Sequence, residues 1–200
     1  MFALIESGSI TKYLNGNKGI QLGDLKYPRA IYTLWTEAER NAIGIYNVEY
    51  DDTNKKDEQW YINTDQSFAF ANSTVTATYG TATAKAHADA NFTAEDEDNG
   101  LGTEGELKSR GLKYNLIQTV KAQAAGELAN TDWYITRNAE KSTAIPSAIT
   151  THRDLVRSRQ ATMETSITNA SDTPALETLY TYTTDSDGVT SRPLAEIPNL

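Results

Sequence analysis

Thr131-Asp132-Trp133-Tyr134-Ile135-Thr136-Arg137, followed by Ala144-Ile145-Pro146 and then by Arg153 and Arg157, is the stretch on which the reading of the C-terminal half turns. A short side-chain oxygen at Thr131 or Asp132 can satisfy orphan backbone N–H groups and so open a helix there. Trp133 and Tyr134 add large apolar area with polar tips, which suits a junction where one ring edge stays wet. Proline pushes the residue before it away from the α region, so Ile145-Pro146 is expected to end this helix and Pro146 to open the next. The stretch therefore predicts a corner between two helices, pinned by aromatics.

Outward from the corner the apolar period is that of a helix on both sides. Leu112, Leu116, Ile117, Val120, Ala124 and Leu128 form one stripe, with lysines and glutamines opposite. A helix from Pro146 or Ser147 to about Asn169 carries Ile149, Val156, Met163 and Ile167 at spacings of seven, seven and four. That seam suits a bundle or an inter-subunit coiled coil, and so leaves a homo-oligomer open. Antiparallel pairing with the Leu112–Leu128 helix is the simpler arrangement. Thr173-Pro174 starts a short helix with Leu176 and Leu179, and Asp187-Gly188 marks a turn between Tyr180–Thr184 and Val189–Arg192. Pro193 to Leu200 is expected as an extended tail.

The other half has the composition of a sheet. Phe2–Glu6, Ile10–Leu14, Ile45–Tyr50, Gln59–Asn63, Ser67–Ala71 and Thr74–Tyr79 read as strands, with Ser7-Gly8 as a tight turn. Thr36-Glu37-Ala38-Glu39 fits a capping box for one short helix to about Ile43, which Gly44 is placed to stop. Between the halves, Thr81–Glu106 is so polar that it reads as an acidic, Ala/Thr-rich linker. The expected class is α+β: a small, mostly antiparallel β-rich domain over 1–80, a linker over 81–106, and a helical domain over 107–200 that ends in a short β-turn and tail.

Charge and composition exclude several functions. The net charge is −9, and residues 1–106 hold 17 acidic against 8 basic side chains while residues 107–200 hold 10 of each. An acidic half repels phosphate backbones, so no nucleic-acid partner is expected. Cysteine is absent, which removes disulfides and thiolate chemistry. Met1 is followed by no basic–apolar leader, and no apolar run approaches the length of a span, so no membrane partner is expected.

Catalytic chemistry lacks its groups. His87 and His152 are the only histidines and lie in different halves, no serine has a nucleophile-elbow context, and no phosphate-binding glycine motif occurs. The chain is therefore expected not to be an enzyme and to hold no cofactor. The nearest approach to a metal motif is Glu95–Glu106, where Glu95, Glu97, Asn99 and Glu106 fall at calcium-loop positions. Glutamate in place of aspartate at the first position and Gly102 in place of an apolar residue argue against it, and the segment reads as solvated linker.

The order Thr-Asp-Trp-Tyr, Arg137, Glu140, Ile145-Pro146 and paired arginines on the next helix resembles the C-terminal region of bacteriophage tail-module proteins. These are the tail-fibre-assembly and tail-assembly-chaperone-like families and related tail accessory proteins of marine phages. Tyr27–Ile31, Trp35–Arg40 with Ala42–Tyr46, and Leu179–Tyr182 with Arg192-Pro193-Leu194 are similar to such proteins as well, although His152 stands where the family usually sets an aromatic. The resemblance implies a protein that acts by protein–protein contact with a phage tail or tail-fibre protein, in the virion tail or in host cytoplasm during assembly. Trp133, Tyr134, Arg137, Ile145, Pro146, Arg153 and Arg157 are the expected partner-binding residues. A virion structural or accessory component is the leading expectation. A transient tail-fibre assembly chaperone and a calcium- or carbohydrate-binding module are the alternatives.

Overall fold

The computed structural model describes all residues, Met1–Leu200, and the chain divides into two compact units, Met1–Thr83 and Ala84–Leu200. The general α+β class holds.

In the first unit β1 (Phe2–Glu6) and β2 (Ser9–Leu14) form a hairpin through Ser7 and Gly8, both at positive φ. A second hairpin, β3 (Ile20–Leu22) and β4 (Leu25–Tyr27), turns at Gly23-Asp24. Strands of three residues carry too little alternation to be read from sequence, and none was expected there. Two short helices follow where one was expected: α1 (Ile31–Leu34) and α2 (Glu37–Ala42). Thr36 and Glu39 close the capping box on α2 in both directions. Next come β5 (Ile45–Asp51), β6 (Tyr61–Ile62), β7 (Gln66–Ala71) and β8 (Thr74–Tyr79). The strand expected over Gln59–Asn63 shrinks to β6, because the N–H groups of Trp60 and Tyr61 bond back to the Asp57 carbonyl as a turn.

Five strands make one sheet in the order β2-β1-β5-β8-β7, antiparallel throughout except for the parallel β5–β8 pair. Its faces serve two cores. Leu4, Leu14 and Ile45 pack with Ile20, Ile31 and Tyr32 on one side, and Ala3, Val48, Val75 and Ala77 pack with Ile5, Ile10, Phe68 and Phe70 on the other. Ile10 and Leu14 have the same parity yet serve opposite cores. A bulge resolves this: Ile5 pairs with Ile10 but Leu4 pairs with Lys12, so Thr11 is extra and the alternation of faces resets. The sheet is curled enough for its edge strands to touch, with Tyr13 of β2 and Phe68 of β7 at 4.7 Å between ring centroids.

Gly44 joins α2 to β5 at φ +80°, where an added Cβ would lie 2.6 Å from the Ile5 carbonyl oxygen. The Ile5 N–H meanwhile donates to the Gly44 carbonyl at 2.7 Å. Glycine is required there twice, by conformation and by proximity.

The second unit begins within the segment expected as a linker, and that segment is folded. After the two-residue strand β9 (Thr83–Ala84) at the boundary, β10 (Ala90–Asn91), α3 (Ala94–Asp98) and β11 (Leu107–Ser109) form a clasped arm. Composition alone understated it, because polar contacts hold it instead of apolar area. Asp89 accepts from the Gly111 N–H at 2.8 Å and pairs with Arg110 at 2.6 Å, and Asp96 pairs with Lys108 at 2.6 Å while capping α3. Phe92 exchanges backbone bonds with Gly105 and Glu106, and its ring covers Gly102 so closely that no Cβ would fit.

Helix α4 (Leu112–Ala129) has no side-chain cap; its first N–H groups, from Leu112 and Lys113, bond to the carbonyls of Ala86 and His87. Helices α5 (Asp132–Lys141), α6 (Ser147–Asn169) and α7 (Thr173–Tyr180) follow. Contacts from Lys113 to Thr168, Lys121 to Glu164 and Glu127 to His152 run in opposite chain directions, so α4 and α6 are antiparallel. Val120 and Ala124 of α4 and Ile149, Val156, Met163 and Ile167 of α6 are buried. Each of these side chains larger than alanine contributes about 1.5–3 kcal/mol when fully covered. The α6 seam is thus consumed within the chain.

Past α7, β12 (Thr183–Thr184) and β13 (Thr190–Ser191) flank a turn in which Asp185 accepts from the N–H groups of Asp187 and Val189. Tyr180 belongs to α7 and not to the hairpin. The tail is extended but docked: Leu194 is buried and its N–H reaches the Leu179 carbonyl, and the Leu200 N–H reaches Glu127.

Two outcomes are expected. Gly44→Ala destabilises the chain by about 2 kcal/mol or more, read as a lower urea midpoint at unchanged slope. Acid opens the arm. The Gly111 N–H and Arg110 hold the Asp89 carboxyl below its ordinary pKa, and Lys108 with the Thr93 N–H does the same for Asp96. The stability these carboxylates supply is therefore complete above about pH 4, their unfolded value, and drains away as pH falls toward the lowered native values. Amide exchange across residues 89–111 should quicken below about pH 4 before exchange in α4 and α6 does.

Candidate functional site

The expected partner-binding residues separate into a buried clamp and an exposed stack. Thr131 occupies the N-cap position of α5, but its hydroxyl does not cap the helix. It donates to the Leu128 carbonyl at 3.0 Å and accepts from Arg153 Nη1 at 2.7 Å. Arg153 Nη1 also lies 2.8 Å from the Leu128 carbonyl oxygen and 2.9 Å from Asp132 Oδ1. One guanidinium thus ties the last turn of α4 to the first residues of α5 from α6, and Arg153 is only 7% exposed. Its place in a surface contact set is corrected on that ground: its charge is spent inside the unit.

One residue earlier, His152 Nε2 meets Glu127 Oε1 at 2.9 Å, and both side chains are largely covered. His152 therefore faces α4, and the same Glu127 oxygen receives the Leu200 N–H.

Helix α5 ends before the proline. Lys141 is its last residue and Ser142 takes the left-handed conformation at φ 54°, with Asn138 Nδ2 bonded to the Thr143 carbonyl. The stop expected from Ile145-Pro146 thus falls several residues early. Pro146 is exposed and stands at the N-cap of α6, while Ile145 is half-buried beside it.

On α5 itself no residue is buried. Trp133 is 52% exposed and Ile135 is exposed too. The Trp133 and Tyr134 rings lie 3.9 Å apart between centroids, and the Arg137 guanidinium sits 4.6 Å from the first and 5.3 Å from the second. Residues three and four apart share a helix face, which is why Arg137 can reach both rings. Such stacking is worth about 0.5–1 kcal/mol at an exposed site, enough to order the side chains without burying them. Arg137 Nε is shielded from solvent and has no hydrogen-bond partner. Arg157 pairs with Asp154 at 3.3 Å on the exposed side of α6, and no hydrogen bond or ring contact links it to the stack.

Sequence reasoning missed that Arg153 and Thr131 act together. Their meeting is set by the antiparallel register of α4 and α6, in which Lys113 lies opposite Thr168 and Leu128 therefore opposite Arg153, and that register leaves no local mark in the sequence. The calcium-loop positions do not converge. Glu95 and Glu97 lie on α3, Asn99 caps its end, and Glu106 sits beyond the Gly105 turn. No group of three or more histidine or acidic side chains is arranged to hold a metal ion. No helix is long and apolar enough to cross a membrane. Compared with protein-family models, with curated proteins and with solved structures, the chain finds no match.

Removing the buried clamp should cost more than removing the surface arginine. Arg153→Met leaves the Leu128 carbonyl and Thr131 hydroxyl without their charged donor and should destabilise by about 2–4 kcal/mol. Arg157→Ala should stay within about 0.5 kcal/mol. Urea unfolding of the two variants side by side checks the difference.

Proposed function

We propose that this protein is a tail-associated component of a bacteriophage, held in the virion tail or tail fibre and working by protein–protein contact. The reading combines the resemblance of residues 131–157 to phage tail-module proteins with one observation. Helix α5 presents Trp133, Tyr134 and Arg137 as an ordered stack while burying none of its own residues. Aromatic and arginine side chains dominate the energetics of protein interfaces, because aromatic rings bring large area at low entropic cost and the planar guanidinium offers several donors at once. The Arg153 clamp holds the start of α5 against α4, so the stack is offered from a fixed helix, which lowers the ordering cost of association. Arg137 has no ion pair within the chain, and a partner carboxylate would supply one. The favoured partner surface is therefore apolar with an acidic rim. No chemistry is assigned to the chain, and no step of a reaction is needed for this role.

Mass spectrometry of purified particles tests the assignment. Stoichiometric copies support a virion component, absence from particles with a soluble tail-fibre complex in infected cells turns the reading to an assembly chaperone, and absence from both overturns it. Against the captured tail protein, Trp133→Ala should weaken binding by about 30-fold or more, the effect of losing a central indole, with the melting temperature unchanged.

A further inference from the structure

The first unit contains a cleft of about 450 Å³ between β2, the Asn15–Gly19 loop, β3 and Tyr32 of α1. That size is within the range of small-molecule sites. Three features make it more than a surface dent. Its charge is one-sided: Lys12 and Lys18 line it, no aspartate or glutamate does, and neither lysine has an ion pair, in a chain whose net charge is −9. Its wall is fixed. Gly16 at φ +67° presses against the Phe2 and Tyr32 rings, and Gly19 stands where a Cβ would be 2.4 Å from the Tyr27 carbonyl oxygen, so the loop is pinned near both ends. It also contains an unspent donor. Tyr32 lines the cleft at only 8% exposure, and its hydroxyl has no hydrogen-bond partner.

The bulge at Thr11 is what brings the first lysine there. It resets the alternation of β2 after Ile10, so Lys12 pairs with Leu4 and shares the face of Leu14. A regular strand would keep Ile10 and Lys12 on one face.

We infer that this cleft is a binding site for a small oxyanion-bearing molecule, a phosphate or carboxylate compound, whose charged group is met by Lys12 and Lys18 and whose nearer oxygen accepts from the Tyr32 hydroxyl. Two ammonium groups without acidic neighbours give a local field favourable to an anion despite the acidic whole. Burial pushes the Tyr32 hydroxyl pKa up, so it remains a donor at neutral pH. The preformed loop spares the ligand the cost of ordering it. This site is independent of the Trp133 stack and of the tail assignment.

The test is a titration of the full chain, followed by amide chemical shifts at constant ionic strength, with inorganic phosphate in one arm and succinate in the other. Sodium chloride at equal ionic strength is the control. Saturable shifts confined to residues 12–21 and around Tyr32 are expected in at least one arm, and which arm responds identifies the oxyanion. Lys12→Ala/Lys18→Ala should raise the dissociation constant by about tenfold or more. Tyr32→Phe should weaken binding by about three- to tenfold while leaving the unfolding midpoint in place, since its hydroxyl bonds nothing in the fold. No saturable shift in either arm, or shifts that chloride reproduces or that survive the double lysine substitution, would overturn the inference.

Discussion

A buried guanidinium governs the second unit. Arg153 must be covered if α6 is to pack on α4, because it lies on the same helix face as Ile149, His152 and Val156, all of them buried. A charge in that position is tolerable only if acceptors are waiting, and the chain provides them where α4 stops and α5 begins. The Leu128 carbonyl is one of the orphan acceptors that every helix leaves at its C-terminus. Termination of α4, placement of α5 and burial of α6 are therefore one event. The exposed stack on α5 depends on it without touching it.

Elsewhere in the same unit, backbone polar groups do the work that side-chain caps and apolar area often do. The N-terminus of α4 is closed by the carbonyls of Ala86 and His87, not by a serine or aspartate. Thr173 Oγ1 reaches back to the Lys85 carbonyl at 2.6 Å, so the start of α7 is fastened to the same short segment. With so much of the arm held by carboxylates at its surface, its order is more sensitive to protonation than that of the helices it borders.

The first unit meets a different constraint. A five-stranded sheet with apolar residues on both faces needs two covers, and the unit supplies one from β3, β4, α1 and α2 and the other from its own curl. The bulge at Thr11 reconciles the two by letting a single strand send Ile10 one way and Leu14 the other. The same local defect brings a lysine to the cleft that Tyr32 lines, so an accommodation of packing also gives that cleft its one-signed charge.

The sequence by itself determined the elements whose signals are local: the capping box at Thr36 and Glu39, the stop at Gly44, the long helices with their stripes, and the tight turns at Ser7-Gly8 and Asp187-Gly188. Periodicity, caps and positive-φ residues act within a few positions, so they can be read from neighbours along the chain. The partner-contact stretch was legible as aromatics and arginines in a row, but not as two groups with opposite fates. Tertiary structure alone decided that Arg153 turns inward and Arg137 outward, that the polar segment after Ala84 folds, and that Lys12, Lys18 and Tyr32 share a cleft. Each of these depends on which distant carbonyl, ring or strand a side chain meets, and that meeting is fixed by register and bulge across the fold, not by the residues on either side.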